Sequence, residues 1–217
     1  MGIFDGIKIA ACSLVATGPT ITKLMAMHGA TVIKIESGTS AGIDRMTRPY
    51  KKGMSLNRSA FFNLFNFDKY GITLNLKHPK GLEIGKRLIA SCDAFVESFT
   101  PGTVDRLGIG YNELKKIKPD LIMMSVSIMG QTGPNSRLPG YGVEGQSLFG
   151  FTQILGWPDG EPQVPFVAYP DFFLPYYGTA MMICALEHRR QTGEGMYIDF
   201  AQYEGAPQFL APLYLPL

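Results

Sequence analysis

The sequence contains little that would commit the chain to a disulfide framework or to nucleic acid. Its three cysteines, Cys12, Cys92 and Cys184, are widely spaced and odd in number, which argues against paired disulfides and against a cysteine-ligated zinc site. The net charge is only +2. The densest basic cluster, at 115–118, is typical of a solvated helix face. We therefore expect a reduced, cytoplasmic setting and no nucleic-acid partner.

No secretory signal and no membrane-spanning segment are predicted. The first ten residues, MGIFDGIKIA, lack both a basic region and a long apolar run. The longest uncharged apolar stretch after Asp171, 172–186, contains Pro175 and Gly178 and is shorter than a bilayer span, so it predicts a buried helix. Hydrophobic residues make up 46% of the chain and charged residues 18%, which indicates a globular protein without a membrane partner.

The signatures of common catalytic sites are also missing. The sequence has no GxGxxG, no P-loop and no GxSxG. His28, His78 and His188 are far apart and lie in no HxH or HExxH pattern, so no metal site is expected. Cys12 follows the first predicted strand, and a buried core residue is favoured there over a nucleophile.

Short apolar runs alternate with helical patterns along the chain. The predicted strands cover 7–11, 31–36, 71–76, 92–97, 121–127 and 196–200. The predicted helices cover 20–28, 79–91, 100–107 and 111–118 (with Asn112 as a cap), a short segment leading into Phe151, and a long segment that ends near residue 192. This order predicts an α/β fold, with a Rossmann-like, mostly parallel sheet and helices on both faces. Ligands bind such sheets at the carboxyl ends of the strands.

One carboxylate stands alone in an apolar stretch. The strand-like run 164–169 ends at Pro170, Asp171 follows, and the next charge is Glu187. Asp171 fits an N-terminal helix cap, and it also fits a nucleophile or general base that apolar walls shield from water. Pro175, as a first-turn proline, would start the helix four residues later and leave Asp171 on a loop. The local pattern leaves both functions of Asp171 open.

Several segments together resemble the family III CoA-transferases, the formyl-CoA:oxalate and carnitine CoA-transferase type. The matching segments are GPTITKLMAMHGATVIKIES, DKYGITLNLKHPKGLEI, DAFVESFTPGTVDRLGIGYNELKKIKPDLIMMSVSIMGQTGP, PGYGVEGQSLFG and YPDFFLPYYGTAMMICALEHRRQTGEGMYIDFAQYE. Together they cover nearly all of residues 3–205. The resemblance extends through Asp171 and the loops that follow the predicted strands.

The resemblance implies a CoA-transferase that moves CoA from an acyl-CoA donor to a carboxylic acid acceptor. Asp171 would attack the thioester, and an aspartyl anhydride and then an aspartyl-CoA thioester would form. Two alternatives stay open: a CoA-thioester racemase or isomerase of the same family, and a non-catalytic CoA-binding subunit or fragment. The loop GYGVEGQ lacks the His-Asp pair of the racemase branch, which argues against the first alternative.

The resemblance also implies which residues contact coenzyme A. The family's CoA-contacting segments fall on Val15, Ala16, Leu74, Asn75, Lys77, Ser98, Phe99, Thr100, Arg106, Pro139 and Tyr141. Lys77 and Arg106 are suitable phosphate partners. Ala16 stands where oxalate-type members carry a glutamine, which argues against oxalate-like chemistry.

Family members are substantially longer than this chain, and their chains interlock in pairs. The resemblance therefore implies that 1–203 form a CoA-binding large domain. The apolar segment 204–217 would be a linker toward a missing small domain or a partner chain. An interlocked homodimer or a complementing chain is the expected assembly, and the sequence leaves open whether the chain is a fragment.

Overall fold

The computed structural model describes residues 2–38, 42–165 and 167–214. Its strands are β1 (Lys8–Cys12), β2 (Thr31–Glu36), β3 (Lys69–Thr73), β4 (Ala94–Glu97), β5 (Ile122–Ser127) and β6 (Met196–Ala201). Its helices are α1 (Thr17–Met27), α2 (Ile43–Met46), α3 (Ala60–Asn66), α4 (Pro79–Ala90), α5 (Thr103–Arg106), α6 (Tyr111–Ile117), α7 (Gly142–Leu148), α8 (Phe151–Ile154), α9 (Tyr169–Thr192), α10 (Gln202–Gly205) and α11 (Ala211–Tyr214). A 3-10 helix, Ala206–Leu210, connects α10 and α11.

The six strands form one sheet in the order β3-β2-β1-β4-β5-β6, and each neighbouring pair is parallel. The strand order reverses between β1 and β4. At such a reversal the connections that leave the two strands run in opposite directions, so a crevice opens at the carboxyl edge of the sheet. The predicted α/β fold with a parallel sheet is confirmed.

Side chains alternate between the two faces of the sheet, and each face supports its own core. On β1, Ile9 and Ala11 lie in the first core, which α1 and α9 cover, whereas Ala10 and Cys12 lie in the second core, which α4, α5 and α6 cover. Burial, with a smaller contribution from the nearby Glu97 charge, raises the pKa of the Cys12 thiol to about 12. The thiol therefore stays protonated at neutral pH, which supports the predicted core role.

Helices α1 and α9 lie side by side on the first face and begin at the same edge of the sheet. A Cβ added at Gly178 would lie 2.9 Å from Cγ1 of Ile21, so α9 approaches α1 more closely there than any larger residue allows. This contact brings Thr17, at the start of α1, next to Asp171, at the start of α9.

Two predictions about α9 are wrong. The run 164–169 contains no strand within its described residues (Phe166 lies outside them), and Asp171 is the third residue of a helix, not part of a loop. Pro170, not Pro175, occupies the first turn, where the missing N–H has no helical partner to lose. Pro175 lies inside the helix, where the ring removes one backbone hydrogen bond.

Other boundaries differ by a few residues. Helix α1 begins at Thr17, three residues before its predicted start, and β3 begins at Lys69, two residues early. Asn112 does not cap α6, because the N-cap residue is Gly110 and Asn112 lies inside the helix. The predicted short helix into Phe151 is divided into α7 and α8.

The segments outside the central pattern also pack on the domain. The aromatic segment holding Phe61 and Phe65 forms α3, which Ser59 caps by accepting a hydrogen bond from the Phe62 amide at 3.1 Å. Ala206 and Leu210 are buried in the first core. The boundary at 203/204 stays a prediction. Among the described residues, no helix combines the length and apolarity needed to cross a membrane.

Candidate active site

A cleft of about 410 Å³ opens at the carboxyl edge of the sheet, where the strand order reverses. Its walls come from the loops after β1, β4 and β5 and from the beginnings of α1, α7, α9 and α10. Seven of the residues that the sequence predicts to bind coenzyme A line this cleft: Val15, Ala16, Ser98, Phe99, Thr100, Pro139 and Tyr141. Their binding of CoA stays a prediction.

The remaining predicted CoA contacts do not line the cleft. Leu74 packs against the second core, and Asn75 uses its side-chain oxygen to accept a hydrogen bond from the Lys77 amide at 3.1 Å. Lys77 and Arg106 are exposed, and Arg106 donates to Thr103 Oγ1 at 2.9 Å. Both cations are therefore accessible to an anionic group that extends beyond the cleft.

Asp171 lies at the floor of the cleft and is only 7% exposed. Its Oδ1 accepts a hydrogen bond from Thr17 Oγ1 at 2.6 Å and another from Gln202 Nε2 at 3.1 Å. Gln202 Nε2 also donates to Thr17 Oγ1 at 2.6 Å, so the three side chains form a closed triangle. Within the described part of the chain, Oδ2 receives no hydrogen bond.

The burial of Asp171 makes its carboxyl a weaker acid than usual. Burial raises the pKa of this carboxyl above the ordinary 3.8, and the hydrogen bonds from Thr17 and Gln202 lower it by less. The predicted capping role is wrong, because Ala168 is the N-cap residue of α9 and the Asp171 carboxylate bonds to side chains of other elements.

Helix α7 closes on the free oxygen of Asp171. A Cβ added at Gly142, the first residue of α7, would overlap Asp171 Oδ2, so only glycine lets the backbone approach this closely. The Tyr169 amide donates to Gln146 Oε1 at 3.0 Å, which joins the start of α9 to α7. The Asp171 carboxylate thus lies between Gly142, at the start of α7, and Thr17, at the start of α1.

The loop after β1 is held in a strained conformation. Val15 has φ 65°, a left-handed value that is rare for a β-branched residue. The adjacent Leu14 amide donates to Ser98 Oγ at 2.9 Å, and Lys34 Nζ donates to the Ser13 carbonyl at 2.7 Å. These bonds fix the loop against β2 and β4 and direct Val15 and Ala16 toward Asp171.

A second cavity, of about 340 Å³, adjoins Asp171 on its other side. It shares Val15, Ala16, Gly142 and Asp171 with the cleft. Asp171 therefore stands at the junction of a larger cleft and a smaller chamber. The chamber extends toward α3 and is lined by Val15, Ala16, Ile43, Thr47, Phe61, Phe65, Tyr141, Gly142, Val143, Val167, Ala168, Asp171 and Phe172.

Sequence reasoning did not identify Thr17 and Gln202 as partners of Asp171. Both follow strands at the carboxyl edge, Gln202 directly after β6 and Thr17 at the end of the short loop after β1. That position is the one signal in the sequence that marks them. Among the described residues, no group of three or more His, Cys, Asp or Glu side chains is arranged to hold a metal ion.

Known proteins share this fold and much of this sequence. The chain is 36% identical over 201 residues to the succinyl-CoA–L-malate CoA-transferase beta subunit of Chloroflexus aurantiacus, a match that covers 92% of this chain and 49% of that one. It is 36% identical over 195 residues to the succinyl-CoA:glutarate CoA-transferase of Mus musculus, covering 90% of this chain and 44% of that one.

A solved structure of similar sequence has the same fold. The crystal structure of a CaiB/BaiF family protein from Brucella suis superposes with a TM-score of 0.93 at 32% identity, over 99% of this chain and 57% of that chain. The chain spans about half the length of the curated relatives it matches. The family model described as CoA-transferase family III matches residues 4–216, so the chain belongs to that family.

Proposed function

We propose that the protein moves CoA from an acyl-CoA donor to a carboxylic acid acceptor, with Asp171 as the nucleophile. The observation that carries this proposal is the Asp171 carboxylate itself. It is buried at the junction of two cavities, Thr17 and Gln202 hold one of its oxygens, and the other oxygen has no donor among the described residues. A carboxylate so placed is suited to covalent catalysis.

In the first half-reaction, Asp171 Oδ2 attacks the thioester carbonyl of the donor. The C–S bond breaks, a mixed anhydride forms on Asp171, and CoA leaves as the thiolate. The thiolate then attacks the aspartyl carbonyl, the anhydride C–O bond breaks, and the donor acid leaves as a carboxylate. Asp171 is left as a CoA thioester, and no proton is consumed.

The second half-reaction repeats these steps in reverse order with the acceptor. The acceptor carboxylate attacks the aspartyl thioester, which gives a new anhydride and the CoA thiolate. The thiolate attacks the acceptor's carbonyl, the product acyl-CoA forms, and Asp171 returns as a free carboxylate. Burial of Asp171 keeps water from the anhydrides, which water would hydrolyse.

Coenzyme A enters this scheme as a substrate, and the cleft offers groups suited to it. The loops after β1 and β4 present apolar and small polar side chains around the carboxylate, and Arg137 lines the same cleft. Lys77 and Arg106 are exposed and can pair with the phosphates of the nucleotide end. Asn75 and Leu74 belong to the same proposed contact region.

The proposal extends to the assembly. We infer that residues 1–203 act as the CoA-binding domain and that a further domain or a second chain completes the site, as an interlocked homodimer or a complementing chain. The apolar side chains exposed on α9, among them Tyr176 and Met181, are consistent with a covering partner. The three cysteines are free, which is consistent with a cytoplasmic setting.

A trapping experiment tests the nucleophile. The native protein is incubated with an acyl-CoA and treated with hydroxylamine, and the peptide containing Asp171 is analysed by mass spectrometry. We expect a hydroxamate at Asp171, and transfer of CoA to a labelled acid that falls by at least about 1,000-fold in Asp171→Asn. Asn keeps an oxygen for Thr17 and Gln202, and Asp159→Asn, on an exposed loop, serves as the matched control.

Each alternative has its own outcome. If the protein epimerises the acyl group in the absence of an acceptor acid, the function is that of a racemase and the proposed transfer is wrong. CoA binding with no adduct at Asp171 would leave a binding subunit. Transfer that survives in Asp171→Asn would overturn the assignment of the nucleophile.

A further inference from the structure

We propose that the chamber beside Asp171 is the acyl site and that it accepts apolar monocarboxylic acyl groups, including aromatic ones, and rejects dicarboxylic acyl groups. This inference rests on the proposed function and adds the substrate class. It is carried by the lining of the second cavity, in which Asp171 is the single charged side chain among the described residues.

The walls of the chamber are apolar on both sides. Phe61, Phe65 and Phe172 form one wall, in which Phe61 packs edge-on against Phe65 with ring centroids 4.7 Å apart. Val143 and Val167 contribute to the lining from α7 and from the segment before α9. Aromatic and branched aliphatic side chains hold a ligand by contact area and dispersion, which favours an apolar guest.

Among the described residues that line the chamber, three have polar side chains: Thr47, Tyr141 and Asp171. Thr47 Oγ1 already donates to the Ile43 carbonyl at 2.7 Å. A second carboxylate on the acyl group would therefore meet no cation among the described residues that line the chamber. It would also share the chamber with the like charge of Asp171.

Two cations on elements near the chamber are engaged elsewhere. Lys34 donates to the Ser13 carbonyl and pairs with Asp44 at 3.5 Å. Arg45 forms a bidentate pair with Glu36, with N–O distances of 2.7 and 2.8 Å. None of the residues that the structure does not describe is Lys, Arg or His.

The volume of the chamber suits a bulky acyl group. An engineered apolar cavity of about 150 Å³ is large enough to bind benzene. At about 340 Å³, the chamber has room for a phenyl ring with a short aliphatic chain. The proposed substrates differ from those of the relatives named above, because the relatives' names specify succinyl-CoA, malate and glutarate, whose acids carry two carboxylates.

The test uses the first half-reaction of the native protein, which needs no acceptor. Release of free acid is followed in single turnovers with phenylacetyl-CoA, hexanoyl-CoA and succinyl-CoA as donors. We expect the rate constant divided by the apparent dissociation constant to be at least about 100-fold higher for the two apolar donors than for succinyl-CoA.

A charge-introducing variant then tests the location of the site. Thr47→Arg places a guanidinium at the chamber wall and is expected to narrow the preference by at least about 10-fold, because it supplies a partner for the distal carboxylate. Thr192→Arg is the matched control, since Thr192 Oγ1 also donates to the carbonyl four residues earlier but lies on an exposed helix end. It should leave the preference unchanged.

Three results separate the inference from the function it rests on. Succinyl-CoA reacting as fast as the apolar donors in the native protein would overturn the substrate class and leave CoA transfer intact. If a folded Thr47→Arg variant prefers apolar donors over succinyl-CoA as strongly as the native protein does, the acyl group binds outside the chamber. No release of acid and no adduct on Asp171 with any donor would overturn the proposed function itself.

Discussion

Glu97→Gln is expected to stabilise the protein above pH 7, although Glu97 lies at the edge of the cleft. Glu97 ends β4, is 1% exposed, and accepts a hydrogen bond from the Phe99 amide at 2.7 Å through Oε2. Neither Oε1 nor the facing Ser125 hydroxyl is in a well-aligned hydrogen bond with a described residue. Burial, reinforced by Asp105 and Asp199, raises the pKa of Glu97 to about 7, against the opposing effects of Ser125 and Phe99.

The size of the expected stabilisation follows from the difference between the pKa of Glu97 in the unfolded chain and its pKa in the fold. A carboxyl whose pKa moves from 4.5 in the unfolded chain to about 7 in the fold costs about 3 kcal/mol when fully ionised, at about 1.4 kcal/mol for each pH unit. Because the folded-state pKa is raised, the native state binds the proton more tightly. The contribution of Glu97 to stability is therefore fully present below pH 4.5 and is lost as the pH rises through about 7.

The assay is urea unfolding followed by far-ultraviolet circular dichroism at pH 5, 6, 7 and 8, because Trp157 is 81% exposed and would report poorly by fluorescence. Groups common to both proteins cancel in the difference between native and Glu97→Gln. We expect the variant to gain about 2–3 kcal/mol relative to the native protein between pH 5 and pH 8.

Glu36→Gln is the control, because the contribution of Glu36 to stability should change with pH in the opposite direction. Burial would raise the pKa of Glu36, but the hydrogen bond and charge of Arg45 lower it overall, so its contribution is present above pH 4.5 and is lost in acid. A difference for Glu97→Gln that does not vary with pH would refute the reasoning, because a packing effect alone has no reason to titrate near pH 7.

The remaining predictions concern Lys69 and the triangle at the site. Lys69 is partly buried and donates to three oxygens of α1 and α3 at 2.8 to 3.0 Å. Lys69→Met is therefore expected to lower the free energy of unfolding by about 2–4 kcal/mol, whereas exposed Lys77→Met should change it by less than about 0.5 kcal/mol; equal effects in urea unfolding would contradict this. Thr17→Val removes a bond that lowers the pKa of Asp171, so the acid limb of the pH profile for transfer should move to higher pH. Thr179→Val, which removes a hydroxyl that donates to the Pro175 carbonyl within α9, should leave the profile in place.

The parts of the fold that sequence predicts well are those set by local pattern. Strand β2 spans Thr31–Glu36 as predicted, because a short run rich in β-branched residues has few other ways to be buried. Strands β4 and β5 differ from prediction only at their first residues, where the pairing with a neighbour decides whether an extended residue joins the sheet.

The start of α9 shows where local pattern fails. Two prolines, Pro170 and Pro175, lie five residues apart, and each has the fixed φ of a first-turn residue. The sequence favoured Pro175 because an interior proline removes a hydrogen bond. In the fold, contact with α1 through Gly178 and Ile21 and the bond from Tyr169 to Gln146 favour the longer helix despite that loss. The deciding interactions are tertiary and are invisible in a window of sequence.

The partners of Asp171 were out of reach for a related reason. Thr17 is 154 residues away in sequence and Gln202 is 31 residues away, and neither belongs to a recognisable motif. Threonine and glutamine are common residues in many contexts, so only the three-dimensional convergence of β1, α9 and β6 distinguishes these two. The same holds for Gly142, whose close approach to Asp171 depends on where α7 is placed.

The placement of Asp171 on a helix has a chemical consequence. A residue in the first turn of a long helix has a fixed backbone, and the bonds from Thr17 and Gln202 fix one carboxylate oxygen, so Oδ2 is aimed at the junction of the two cavities before any substrate arrives. The burial that raises the pKa of Asp171 disfavours its charge against any neutral form of the group. A proton is one way to neutralise it, and an acyl group or a thioester is another. The same desolvation that raises the pKa therefore favours the covalent adducts of the proposed reaction over the free carboxylate, and the hydrogen bonds from Thr17 and Gln202 oppose that effect.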